Sequence, residues 1–167
     1  MGTTFLQVYD RAMTQFKDYR LDNLYQMDKD VFYELLRGFL LDSIDDFDGC
    51  LTDLSYTKTE NIIENDDGTT TTVEEYSFNQ ELSSKEIKIL CLGLAIAWYN
   101  NDMLDVTQFR LHLNVREYKT HAESQNLKQR SDVLDKMREE LDRNIMEYQI
   151  SHMDKLPYFG GDWVGLV

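Results

Sequence analysis

Apolar residues recur along this chain at changing intervals, and the changes divide it. From Thr3 to Tyr19 the stripe Phe5, Val8, Ala12, Gln15 and Tyr19, widened by Tyr9 and Phe16, keeps the three-and-four spacing of a helix. It predicts a first helix over 3–19, capped by Thr3 or Thr4. A second helix is expected from Asp28 to Phe47. Asp28 is a natural N-cap, and Asp30 in the first turn suits the positive end of the helix dipole. Val31, Leu35 and Phe39 with Phe32, Leu36 and Leu40 give a broad apolar face that Ile44 and Phe47 continue, and Gly49 offers a stop.

The pattern then changes. TKTENIIENDDGTTTTVEEYSFN, residues 57–79, is threonine-rich and alternates polar with larger side chains. Asp67-Gly68 between Ile62-Ile63 and Val73 predicts a β-hairpin over about 58–79 with its turn at Asn65, Asp66, Asp67 and Gly68. A lone hairpin is marginal in water, so this one requires a surface to dock on, its own or a partner's.

Helical spacing returns in LSSKEIKILCLGLAIAWYNN, Leu82–Asn101. Ser83 and Glu86 form a capping-box pair ahead of the apolar run. Ile87, Leu90, Cys91, Leu94 and Trp98 share one face, and Ile89, Leu92, Ile96 and Tyr99 cover much of the rest. A helix apolar nearly all round is buried on several sides. Residues 83–101 are therefore the expected hub of a bundle, with Gly93, Ala95 and Ala97 admitting close neighbours.

A short helix is expected over 105–114, then a long one over about 122–152, free of Pro and Gly. Leu127, Leu134, Leu141 and Tyr148 recur every seven residues, with Val133, Met137 and Ile145 broadening the seam. Arg130 and Asn144 interrupt it, which favours a helix packed on a bundle over an autonomous coiled coil. The end of the chain, DKLPYFGGDWVGLV, holds the only proline. Its aromatics are unsuited to water. An arm over 155–167 is expected to fold back or to bind a neighbour through Pro157, Tyr158, Phe159, Gly160, Gly161, Asp162 and Trp163. The fold class is thus mainly α, a single helical domain over 1–154 with a hairpin insert at 58–79.

Composition narrows the function classes. With 31 acidic residues against 17 basic, the net charge is −14. Such a surface repels nucleic acid, which argues against sequence-specific DNA or RNA binding. Two cysteines, Cys50 and Cys91, are too few for a disulfide scaffold, and a reducing cytoplasm is the default. The start MGTTFLQVYDR lacks a signal-peptide pattern, and Leu6 stands where a myristoylation signal needs Ser or Thr. The longest apolar stretch, Ile87–Tyr99, is too short to span a bilayer.

Candidate chemistry is sparse. His112, His121 and His152 have no paired ligand spacing, so no metal site is expected. Cys91 lies in the apolar helix, where burial makes a thiol inert. DSIDDFDG and NDDG fail the calcium-loop pattern, since Ile44 and Ile63 fall at its first position. No phosphate loop, nucleophile elbow or dinucleotide fingerprint occurs. No cofactor and no catalytic residue is expected.

The patterns Leu-Ser/Thr-x-x-Glu-Ile-x-Ile-Leu and Ala-x-x-Trp-Tyr/Leu-Asn stand at Leu82–Leu90 and Ala95–Asn100. Upstream, Leu35–Phe47 and Cys50–Leu54 are similar to the stretch Leu-Leu-x-Gly-x-Leu-x-x-Ala-Ile-x-x-Phe, with Ser43 in place of Ala, and downstream Leu127–Tyr148 matches only in character. Together these resemble the head–tail connector (adaptor or neck) proteins of tailed bacteriophages of Gram-positive hosts, over roughly Val31–Tyr148. The resemblance implies a non-enzymatic virion protein, made in the host cytoplasm and carried in the neck. It implies a ring, commonly of twelve copies, beneath the portal protein, holding the next neck or stopper/tail protein. DNA would pass through its lumen without specific binding, and no membrane is involved. A rival expectation is an acidic helical interaction protein, such as a DNA-mimic inhibitor of a host protein.

Overall fold

The computed structural model describes residues 2–15, 18–47, 49–64, 70–113 and 120–152. Among them the chain is mainly helical, with five helices and one two-stranded antiparallel hairpin. The order is α1 (Phe5–Gln15), α2 (Tyr19–Met27), α3 (Lys29–Asp46), β1 (Tyr56–Glu64), β2 (Thr70–Phe78), α4 (Ser84–Leu113) and α5 (Thr120–Ser151).

The N-terminal half is built by caps. Thr4 and Gln7 exchange side-chain-to-backbone hydrogen bonds at the start of α1, at 3.0 and 3.2 Å. Phe5, Val8, Tyr9 and Ala12 are buried, as their spacing predicts. The expected single helix over 3–19 is, however, two: α1 ends at Gln15, and α2 begins after Asp18, whose carboxylate accepts the Arg20 amide at 2.9 Å. Tyr19, placed by spacing on the buried stripe, is 73% exposed because it starts this separate helix. Asp28 then serves two helices. Its N–H closes α2 on the Leu24 carbonyl, and its carboxylate accepts the Asp30 and Val31 amides of α3. In α3 the buried face is Phe32, Leu36, Leu40 and Ser43, and Val31 points outward. Gly49, at φ 77°, lies in the left-handed region just beyond α3.

α4 is the hub. It packs against α1, α3 and α5, with Ile89, Leu90, Cys91, Leu94, Ala95, Ile96 and Trp98 buried. Ser83 and Glu86 form the expected capping box, the Ser83 amide reaching Glu86 Oε2 at 2.6 Å and the Glu86 amide reaching Ser83 Oγ at 3.3 Å. The expected separate helix over 105–114 is part of the same helix, since α4 runs unbroken to Leu113. Its 30 residues make a rod about 45 Å long. α3 approaches it at Gly93, where an added Cβ would lie 2.9 Å from the Ser43 side chain.

α5 returns antiparallel along α4. Leu134, Asn144 and Tyr148 are buried on it, with Met137, Leu141 and Ile145 half-buried. Val133 is exposed rather than part of the seam. The hairpin pairs from Tyr56↔Phe78 to Glu64↔Thr70. Its base docks on α1, where the Phe5 ring lies 4.8 Å from Phe78, 5.2 Å from Tyr56 and 5.7 Å from Tyr76. Among the described residues no helix is long and apolar enough to cross a membrane.

Candidate functional site

The residues that the sequence singles out for partner binding, Pro157, Tyr158, Phe159, Gly160, Gly161, Asp162 and Trp163 in the arm and Asn65, Asp66, Asp67 and Gly68 in the hairpin turn, lie outside the described residues. The described structure instead brings together three polar clusters that periodicity does not reveal.

The first surrounds Glu86, which is 2% exposed. Its Oε1 accepts from the hydroxyls of Thr52 and Tyr148, each at 2.6 Å, and Oε2 accepts the Ser83 amide. The Tyr148 oxygen in turn accepts the Leu51 amide at 3.1 Å. This joins the turn after α3, the start of α4 and the end of α5. Burial alone would raise the Glu86 pKa; the hydrogen bonds from Thr52, Tyr148 and Ser83 outweigh it and hold the carboxyl below its usual range. Tyr148 moves the other way, raised by burial and by its bond to Glu86. Cys50 leans on the same pair, and burial pushes its thiol up to about 11. A shallow groove of about 550 Å³ opens beside the cluster, between Leu51–Thr52, Gln80–Ser83 and the Tyr148–His152 end of α5. Sequence reading finds Glu86 only as a capping residue. Its partner Tyr148, placed in the apolar seam, is both a core ring and a hydrogen-bond donor to the carboxylate.

The second cluster is a clamp around Arg20. Its guanidinium bonds Asp18 at 3.0 Å and also pairs with Asp102. Asp102, 6% exposed on α4, accepts Arg130 of α5 at 2.6 Å through its other oxygen. Trp98 donates from Nε1 to Asp18 at 3.1 Å, and the guanidinium of Arg20 lies 5.7 Å from the Trp98 ring. Two carboxylates and two guanidiniums therefore balance where α2, α4 and α5 meet. Burial works to raise the Asp18 pKa, but the bonds from Arg20 and Trp98 prevail and lower it. Asp18 carries a readable signal, an N-cap residue ahead of a helical stretch; Asp102 carries none.

The third lies on the hairpin. Lys58 reaches Glu74 at 2.8 Å and Glu60 at 3.1 Å, and its pKa is raised chiefly by the bond to Glu74. Tyr76 is stacked between Phe5 and the guanidinium of Arg37, which lies 4.9 Å from its ring. These pairs are solvent-exposed and contribute little stability. They orient the base of the hairpin against α1 and α3.

Cys91 is buried, with its thiol pushed up to about 11. Among the described residues no group of three or more His, Cys, Asp or Glu is placed to hold a metal ion. Asp42, Asp45 and Asp46 are simply exposed on the last turns of α3. The clusters are suited to fixing helices against one another and to presenting surfaces. No family model, curated protein or solved structure matches this chain.

Proposed function

We propose that this chain is a virion structural protein of a tailed bacteriophage, a head–tail connector that forms a ring beneath the portal and extends the DNA channel. The observation that carries the reading is where the two hub-helix patterns fall. Leu82–Leu90 holds the Glu86 cluster that ties the start of α4 to the end of α5. Ala95–Asn100 holds Trp98, bonded to Asp18, and Asn100, which accepts Arg138 of α5 at 2.9 Å. The residues of the resemblance are therefore those that brace a rigid helical hairpin on a small bundle. A ring subunit that bears DNA pressure requires such bracing.

Other features fit the same role. A chain with net charge −14 lets DNA slide past without adhering. Gly38, within the similar stretch of α3, is exposed and would meet nothing within 4 Å if it carried a Cβ. Among the described residues there is no packing reason for a glycine there, which suits close approach by another molecule. The partners would be the portal protein, neighbouring copies and the next neck component, and the location the virion neck.

The inhibitor reading is less well supported, because a DNA mimic requires a face of carboxylates alone. On α5 the exposed positions interleave Lys128, Lys136, Arg138 and Arg143 with Asp132, Asp135, Glu139 and Asp142.

Deleting Pro157–Val167 tests the docking role of the arm. The truncated protein is expected to keep its circular dichroism and melting temperature but to lose co-sedimentation with purified portal rings. Undiminished co-sedimentation would rule the arm out as the portal contact.

A further inference from the structure

The hairpin has two edges, and the chain treats them differently. Asn79 donates to the Ser55 carbonyl at 2.9 Å, which sets the phase of the ladder. In the antiparallel register, Thr57, Thr59 and Asn61 then exchange hydrogen bonds with β2, while the N–H and C=O groups of Tyr56, Lys58, Glu60, Ile62 and Glu64 point away from it. The outer edge of β2 is covered at its base by the chain itself: Phe78 donates to the Thr3 carbonyl at 2.8 Å, and Thr4 bridges Ser77. Gly2 lies so close that an added Cβ would overlap the Phe78 carbonyl oxygen. This edge already accepts an added strand, cut short where α1 begins.

Among the described residues nothing of the kind covers the outer edge of β1. No backbone hydrogen bond reaches it from the described residues, and Tyr56–Asn61 are all exposed. Its defences as an edge strand are charged side chains alone. There is no proline and no bulge across its nine residues, and its one lysine, Lys58, is engaged by Glu60 and Glu74. Such an edge is a template for another strand.

We propose that its occupant is the β1 strand of a second copy of this chain, paired antiparallel about Asn61 to make a four-stranded sheet of order β2-β1-β1-β2. The argument is charge complementarity among the registers the ladder allows; pairing about Thr59 would set Lys58 opposite Glu60, whereas pairing about Asn61 sets it opposite Glu64, and reversal of Glu64 distinguishes the two. The outward-facing groups are those of even-numbered residues, so only registers that place even opposite even form hydrogen bonds. Pairing about Asn61 sets Lys58 of each copy opposite Glu64 of the other and Glu60 opposite Ile62. Moving one allowed step sets Glu60 opposite Glu60; the step in the other direction sets Glu60 opposite Glu64. Like charges directly opposite are destabilising, and opposite charges are favourable. β-Branched positions also coincide in the favoured register, Thr59 facing Ile63. The contact is two-fold and self-complementary, the commonest form of homodimer. It concerns the free protein and stands independently of the connector reading.

Sedimentation velocity on the full chain up to about 0.5 mM tests the pairing. The wild type is expected to dimerise. E60P removes an N–H that faces away from β2, so it should leave the hairpin intact by circular dichroism yet shift the chain to monomer. K58E and E64K should each weaken the dimer at least tenfold by setting like charges opposite one another, and K58E/E64K should restore it. A wild type that stays monomeric throughout would overturn the proposal. So would a dimer that E60P and both charge reversals leave unchanged, since it must then form elsewhere.

Discussion

Asp102 on α4 and Arg130 on α5 meet at 2.6 Å, in the same antiparallel register that seats Lys88 against Asn144 at 3.0 Å. Fourteen residues separate Lys88 from Asp102, and fourteen separate Arg130 from Asn144. Lys85 and Glu147, at 4.0 Å, continue the line. The two residues that spoil the heptad seam of α5 are thus both met by polar partners on α4. An apolar seam is tolerant of sliding by a turn. Buried polar groups with fixed partners are not, because a slip would part Asp102 from Arg130 and Asn144 from Lys88. Asn144 also donates back to the Glu140 carbonyl, so its amide is oriented before Lys88 reaches it.

Removing one end of this arrangement is expected to cost more than removing the other. Asp102→Ala takes a partner from Arg130 and from Arg20, which keeps Asp18, and should destabilise the fold by about 3 kcal/mol, at the low end for a buried ion pair because both arginines keep solvent contact. Arg130→Leu leaves Asp102 paired with Arg20 and extends the apolar seam, so its cost should be about 1 kcal/mol or less. Urea unfolding of both variants checks the order. Equal losses would mean that Arg130, not Asp102, is the anchor.

Trp98 combines core packing with a hydrogen bond, and two substitutions separate them. Trp98→Ala empties a buried site between α3 and α4 and should cost roughly 3–5 kcal/mol. Trp98→Phe keeps most of the ring but loses the donor to Asp18, with an expected cost of about 1–2 kcal/mol. A Phe variant as unstable as the Ala variant would show that the bond to Asp18, rather than the ring, holds α2 to the hub.

Much of this architecture is legible in the sequence where one helix face decides the outcome. α3, the capping box at Ser83–Glu86, the hub helix and α5 all follow from spacing and caps. The hairpin follows from its alternation and its Asp-Gly turn signal. The failures share a cause. α2 has only Leu21 buried, with Leu24 and Tyr25 half-buried, a stripe of a single turn, so the break at Asp18 without Gly or Pro passes unseen. The run Asn101–Asp105 reads as a polar boundary, yet α4 continues through it because Asp102 is satisfied by arginines 82 and 28 residues away. No local pattern encodes such partners. The same holds for Glu86 and Tyr148, 62 residues apart. The residues expected to bind partners fall in the hairpin turn and the arm, outside the described structure.

Acid should loosen the fold through Glu86 and Asp18. Both carboxyls have pKa values below those of an unfolded chain, so the folded state binds fewer protons and their stabilisation is complete above the ordinary carboxylate range. It is lost as pH falls below about 4 and through the lowered folded values. Glu86→Gln removes one contributor. Its melting temperature should be lower than wild type at neutral pH and converge on it toward about pH 3. Parallel curves would exclude Glu86 as an acid-sensitive tie.

The same substitution at two glycines should have opposite signs. Gly93→Ala forces a methyl group to 2.9 Å from Ser43 and should cost about 1–3 kcal/mol through helix displacement. Gly38→Ala meets open space inside α3 and should stabilise the free protein by about 0.5–1 kcal/mol. If Gly38 is also where another molecule approaches, the stabilised variant will assemble on the portal less well than wild type. Thermal melts and portal co-sedimentation together read both effects.

The most direct test of the connector account is electron microscopy of the intact protein mixed with its cognate portal rings. The account predicts symmetric additional density beneath the portal, continuous with its channel, into which the α4–α5 hairpin fits as a repeated wedge. Portal rings that stay bare at saturating protein, with their own structure intact, would contradict it.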